Sequence, residues 1–196
     1  MSRAWTVLLA LLGLLASPAH AQDGATAGML GLPLVIREGG WARYVTDSAN
    51  GPTQFVFKVG ARGKHGERSG RWLILEIEVP STGRVALHFL VEGERFTADK
   101  VLLLRTVVPG QAPRDAPDAF AGAKKPPRQP RLLRQGTETV AGRKLEVTEY
   151  SYPEGLTAEW SPSVPGLGLV RVSGPQPFQL LAFGVGGDPW KGPARP

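Results

Sequence analysis

The feature that most constrains this chain is an alternation of apolar and other side chains with a period of two. It begins after Gly40 and recurs almost to the C-terminus. A period of two puts alternate residues on opposite faces of a strand, whereas a helix repeats its apolar positions every three to four residues. Residues 71–79 (RWLILEIEV) show it best: Leu73, Leu75, Ile77 and Val79 share one face, and Trp72, Ile74, Glu76 and Glu78 the other. Residues 85–91 (VALHFLV) turn Val85, Leu87, Phe89 and Val91 inward, and 54–59 (QFVFKV) align Phe55, Phe57 and Val59. Further strands are predicted over 41–46, 101–108, 132–140, 144–152, 156–160, 167–172 and 178–183, with turns rich in Gly, Pro, Asn and Ser between them. Residues 60–70 (GARGKHGERSG) read as a polar hairpin loop.

About ten strands with hairpin-length connections and almost no amphipathic helix predict a meandering antiparallel sheet. Residues 101–104 are apolar on both faces and 72–75 nearly so, which a flat sheet with one wet face does not explain. The expected fold is therefore mainly β: a curled antiparallel sheet of about ten strands, a half-barrel, barrel or sandwich around an apolar interior, with little helix. The second face must be covered by curvature, another sheet, the 22–40 segment or a ligand.

Four segments are expected. Residues 1–21 carry Arg3, an apolar run over 5–15 and small residues at Ala19-His20-Ala21, the layout of a cleavable export signal. The run is too short for a bilayer, which needs about 20 apolar residues. Cleavage after Ala21 predicts a periplasmic or secreted product, and without cysteine it is not a lipoprotein. Residues 22–40 form a flexible lead-in, with 29–36 either a short helix or extended. Residues 41–184 form one β domain, interrupted by a Pro-rich basic loop at 109–131 in which one helical turn is conceivable over 118–123. Residues 185–196 are a tail expected to fray.

Charge is local. Lys124, Lys125, Arg128, Arg131 and Arg134 lie within residues 124–134 (KKPPRQPRLLR) without an acid, and the rest of the chain after residue 21 is balanced. The segment either faces solvent or touches anionic lipid head groups or an acidic partner. Export and the absence of interleaved aromatics argue against nucleic acid.

Many chemistries are missing. Without cysteine there is no disulfide, thiolate ligand or cysteine nucleophile. Past residue 21 the histidines are His65 and His88, each read as unliganded, and no metal or cofactor is expected. Ser69 in Gly66-Glu67-Arg68-Ser69-Gly70 is one place too late for an elbow nucleophile and reads as a turn residue. Residues 60–65 have neither the spacing nor the following helix of a phosphate loop, and 184–187 lack the helix of a dinucleotide fingerprint. Glu76 and Glu78 share a strand face, as paired acid/base carboxylates could, but read as a solvent-facing patch. No catalytic residue is assigned. The aromatic residues Trp41, Trp72, Trp160, Phe55, Phe57, Phe89 and Phe183 either line a cavity or fill a core. The expected apolar lining is Phe55, Phe57, Leu73, Leu75, Ile77, Leu87 and Phe89.

Residues 139–147 (TVAGRKLEV), 156–160 (LTAEW), 164–172 (VPGLGLVRV) and the opening Gly40-Trp41-Ala42-Arg43-Tyr44 resemble uncharacterised exported bacterial proteins. These in turn look like the periplasmic lipoprotein-carrier (LolA/LolB-like) superfamily. The resemblance spans roughly 40–185 in outline and implies a curled antiparallel sheet, an incomplete barrel whose apolar interior holds acyl chains. The carriers' plugging helices are not evident here. The leading expectation is an exported non-enzymatic β-protein that binds a lipid or lipidated partner, with the basic segment on an anionic membrane surface. The alternatives are an envelope interaction module with a filled core, or a hydrolase with an unrecognised site.

Overall fold

The computed structural model describes residues 30–48, 51–79, 82–117, 120 and 129–191. The export signal, the lead-in before Leu30, the conceivable helical turn apart from Phe120, and Lys124, Lys125 and Arg128 lie outside them. Eleven strands are present: β1 (Gly40–Ser48), β2 (Gly51–His65), β3 (Arg68–Val79), β4 (Gly83–Val91), β5 (Val101–Val107), β6 (Arg114–Ala116), β7 (Arg131–Val140), β8 (Arg143–Ser151), β9 (Thr157–Trp160), β10 (Leu169–Ser173) and β11 (Phe178–Val185). Two short 3-10 turns, Ala98–Lys100 and Pro153–Gly155, are the helical elements among the described residues. All strands join one antiparallel sheet in the order β6-β5-β4-β3-β2-β1-β11-β10-β9-β8-β7, which curls but does not close.

The order makes two meanders that meet where the first and last strands pair, β1 against β11. The meanders end on opposite free edges, so the Pro-rich connection from Ala116 to Arg131 carries the chain from one edge to the other. Register shifts interrupt five of the pairings, at β1/β11, β2/β3, β4/β5, β7/β8 and β9/β10. Each bulge bends its strand and adds right-handed twist, which supplies the curl.

Three sequence expectations are corrected. Residues 60–70 are a ladder, not a loop: β2 and β3 stay paired from Arg62–Arg71 to His65–Arg68, with Gly66 turning the chain in the left-handed region (φ 58°). Backbone pairing there needs no apolar side chain, so hydropathy alone could not show it. The Pro-rich segment holds a short edge strand, β6, where Arg105 and Asp115 pair directly and their side chains form two hydrogen bonds of 2.6 and 2.9 Å. The tail does not fray over 185–191. Trp190 folds back onto the outer face, its indole N–H donating to Glu76 Oε2 (2.9 Å) and its carbonyl accepting from Arg43 (3.1 Å), while Pro189 is buried.

The concave face carries the main core: Ala42, Tyr44, Phe57, Leu73, Phe89 and Val172 from five different strands are among its fully or nearly fully buried members. The lead-in is not helical over 30–36: it makes isolated bridges at Pro33 and Val35, with Leu30, Leu32 and Leu34 buried in that core. The outer face has its own covers. Trp41, Val56 and Ala182 lie with Trp190, and Leu90, Leu102 and Leu103 lie with Trp72. Trp41 and Trp72 therefore do not line the interior, because their chain neighbours Ala42 and Leu73 take the inward positions. The two-sided apolar strands are explained by a filled concavity within and apolar caps outside.

Candidate functional site

The two ends of the curled sheet differ. At one end Val35 pairs with Gly166 through two backbone hydrogen bonds of 2.8 and 2.9 Å, and Pro33 bridges to Arg95. Gly39 N–H donates to the Val59 carbonyl, and the Trp160 indole donates to the Pro33 carbonyl (3.0 Å). Val164, Pro165 and Leu167 from the loop between β9 and β10 are buried beside it. This end is sealed by the protein's own chain. Arg95 donates to the Gly31 carbonyl (2.6 Å) and Tyr152 to that of Leu30 (3.1 Å), which holds the lead-in deeper inside.

The far end is built by the starts of β2, β4 and β11 and the ends of β1, β3, β5 and β10. Register places Val85, Ile77, Phe55, Tyr44 and Leu180 directly opposite one another across β4, β3, β2, β1 and β11. A second row runs Phe178, Val172, Ala158, Tyr150 and Leu132 across β11, β10, β9, β8 and β7. Tyr44 and Phe55 stack with centroids 5.2 Å apart, and Phe178 meets both edge-on at 5.4 Å. Phe55, Leu75, Tyr150 and Phe178 are only partly buried, whereas Leu132 is 53% exposed. An apolar inner face thus continues beyond the packed core at this end.

The seven residues expected to line the interior all lie on one face, where β2, β3 and β4 bring them together, and they divide into two groups. Phe57, Leu73, Leu87 and Phe89 belong to the main core, Leu73 and Phe89 with no exposed surface. Ile77 forms a separate cluster with Val79 and Val85, and Phe55 and Leu75 pack against both this cluster and the edge of the main core. Only this second group stands at the far end. Sequence reading missed Phe178 and Tyr150 as its companions, since they come from the other meander and only the β1–β11 pairing brings that half alongside.

Of the basic segment, Arg131 is exposed at the start of β7. Arg134 is committed to ion pairs with Glu149, Glu138 (2.8 Å) and Glu159 (3.5 Å). It stands in a row of charges, Arg134, Glu149, Glu159 and Arg171, directly opposed across β7 to β10. Burial, reinforced by Glu138 and Glu149, raises the Glu159 carboxyl above its ordinary range against the pull of Arg171 and Arg134. The connection between the sheet edges touches the interior at Phe120, whose ring lies 6.4 Å from that of Phe89.

On the outer face Glu76 accepts from Lys58 (2.6 Å) and from Trp190, so it is a structural ion pair rather than half of an acid/base couple. His88 is half-buried beside Trp72, and burial together with Arg105 lowers its pKa. His65 lies near the β2–β3 turn, apart from His88. No group of three or more acidic or histidine side chains capable of holding a metal occurs among the described residues. No helix among them is long and apolar enough to cross a membrane. No protein-family model matches this chain, and no curated protein matches it.

Proposed function

We propose that this chain is an exported, non-enzymatic β-protein that holds an acyl chain, from a lipid or a lipidated partner, against the far-end apolar face. One observation carries the reading: the inner face stays apolar past the filled core, and Phe55, Leu75 and Phe178 remain partly uncovered where the opposite end is sealed. Contact with an acyl chain would remove that surface from water, worth roughly 25 cal/mol per Å². Lys124, Lys125 and Arg128, in the sequence between β6 and β7, are charges that suit an anionic head group. No cofactor enters this reading.

Full-length chain expressed with its own N-terminal segment and recovered from a bacterial periplasm is expected to carry a lipid in native mass spectrometry. Phe55→Ser and Leu75→Ser are expected to weaken binding of a fluorescent fatty acid about tenfold, the loss of one buried side-chain contact. Equal binding by both variants would sink the proposal. A second reading has its own support. Leu30, Leu32 and Leu34 fill the concavity from within, as in an interaction module that needs no ligand. A lipid-free mass and no fatty-acid binding would favour it.

A further inference from the structure

The two free edges of the sheet are unequal. β6 is three residues long, but β7 is ten, and among the described residues no strand lies on its outer side. A long unpaired edge offers a row of backbone N–H and C=O groups to another strand, and proteins usually blunt it with charges, prolines or bulges. Here the bulge lies at one end, between Leu132 and Arg134, and the pairing with β8 is regular from Arg134 to Val140. The first seven side chains of β7 are all exposed, and Leu132 and Leu133 remain 53% and 49% accessible. β8 runs on past the end of β9, whose pairing stops at Thr148–Trp160. This extended β7–β8 arm is seated on the core by Leu145 and Val147, which fixes its position and leaves the β7 edge outward.

The sequence of this edge is complementary to itself. Laid antiparallel about Gly136 over the regular stretch, Gly136 faces its own copy, Gln135 faces Thr137 and Arg134 faces Glu138. Opposite charges meet, the polar Gln135 and Thr137 meet and no like charges are opposed; shifting the centre by one residue either way breaks the Arg134–Glu138 match. We infer that β7 pairs with β7 of a second copy of this chain around a two-fold axis through Gly136. Such an axis makes the contact isologous and closed. Arg134 and Glu138, which are bonded at 2.8 Å within one chain, exchange partners across it. The net gain is the backbone ladder, and a strand-sized contact lies below the roughly 800 Å² per partner of a standard stable interface. The association is therefore concentration-dependent. It stands independently of ligand binding at the far end.

A chain without cysteine allows a direct test. A Cβ at position 136 meets nothing within 4 Å, so Gly136→Cys fits the monomer. Directly opposed antiparallel residues have Cα atoms about 4.5–5.5 Å apart, inside the range a disulfide spans. Under mild oxidation the full-length Gly136→Cys protein is expected to form a covalent dimer. Glu67→Cys, at the exposed β2–β3 turn, controls for random collision and is expected to stay largely monomeric. Adding Glu138→Arg to Gly136→Cys opposes arginines and is expected to slow cross-linking about tenfold, with the thermal melting profile checking that the fold is kept. In parallel, sedimentation of the unmodified chain is expected to show reversible dimerisation that Glu138→Arg weakens. Equal cross-linking at 136 and 67, or a monomer at all concentrations, would overturn the inference. Cross-linking unaffected by Glu138→Arg in a folded protein would overturn the register.

Discussion

The sealed and far ends of the curled sheet are made from the same residue types, yet they differ in what covers them. At the sealed end the covering atoms belong to the chain: Leu32 and Leu34 of the lead-in and Val164, Pro165 and Leu167 of the β9–β10 loop, pinned by backbone hydrogen bonds at Val35–Gly166 and Gly39–Val59. At the far end the apolar rows simply run on, and Phe55, Leu75 and Phe178 are left partly open. Apolar surface closed by covalently attached groups acts through stability. The same surface left open can act through binding, because a ligand supplies what the chain does not.

Breaking the sealed end should produce the largest effect. Leu32→Ala or Leu34→Ala removes a buried side chain with limited room to collapse and is expected to cost about 2–5 kcal/mol, read from urea unfolding. Gly168→Ala should follow. Gly168 sits at φ 70°, and a Cβ there would collide with the Trp160 indole ring, so both backbone and ring must shift. About 1–3 kcal/mol is expected, visible as a lower urea midpoint with the tryptophan environment altered in near-ultraviolet circular dichroism. At the far end, Phe55→Ser and Leu75→Ser should each lose less than the lead-in variants, about 1–2 kcal/mol for a partly buried site, while weakening fatty-acid binding. Stability loss equal to that of Leu32→Ala would erase the contrast between the two ends.

Smaller effects separate the two half-sheets by pH. In the first meander, the His88 pKa is lowered by burial, Arg105 and Lys58, with Glu76 opposing. The folded state then binds fewer protons than the unfolded state. His88 leaves stability intact above the ordinary imidazole range near 6.5 and diminishes it as pH falls below. In the second meander, the Glu159 pKa is raised, so its share of stability is greatest in acid and is lost as pH rises through the raised value. Urea midpoints measured from pH 4 to 8 should show His88→Gln removing a loss of stability on acidification below about 6.5, and Glu159→Gln removing a loss of stability of opposite sign, as pH rises above the ordinary carboxylate range. An unchanged profile in both variants would remove this distinction.

Much of the fold was legible in the alternation. Leu73, Leu75 and Ile77 share a face in the structure as the period of two requires, and Phe55, Phe57, Leu87 and Phe89 join them through direct strand pairing. The curl followed from strands apolar on both sides. Three things were not legible. The β2–β3 ladder over 62–71 is polar, and its cohesion lies in backbone hydrogen bonds that every sequence can make. The fold-back of Trp190 depends on Glu76, Arg43 and Arg84, all distant in sequence, the last with its guanidinium 5.1 Å from the indole centre. The assignment of Trp41 and Trp72 to the outer face turned on which neighbour packed inward, and an apolar residue stood on each side.

By itself the sequence determined the local chemistry: strands from side-chain period, turns from Gly and Pro, the want of thiolate chemistry from the missing cysteine, and the clustering of positive charge before β7. Only the tertiary structure decided which apolar residues are spent on the core and which remain uncovered. It also decided that β7 lies at a free edge and that Arg134 is held among three carboxylates. The reason is that hydropathy and propensity are properties of a residue and its near neighbours. Coverage, edge position and ion pairing depend instead on the β1–β11 closure, which joins residues more than a hundred positions apart.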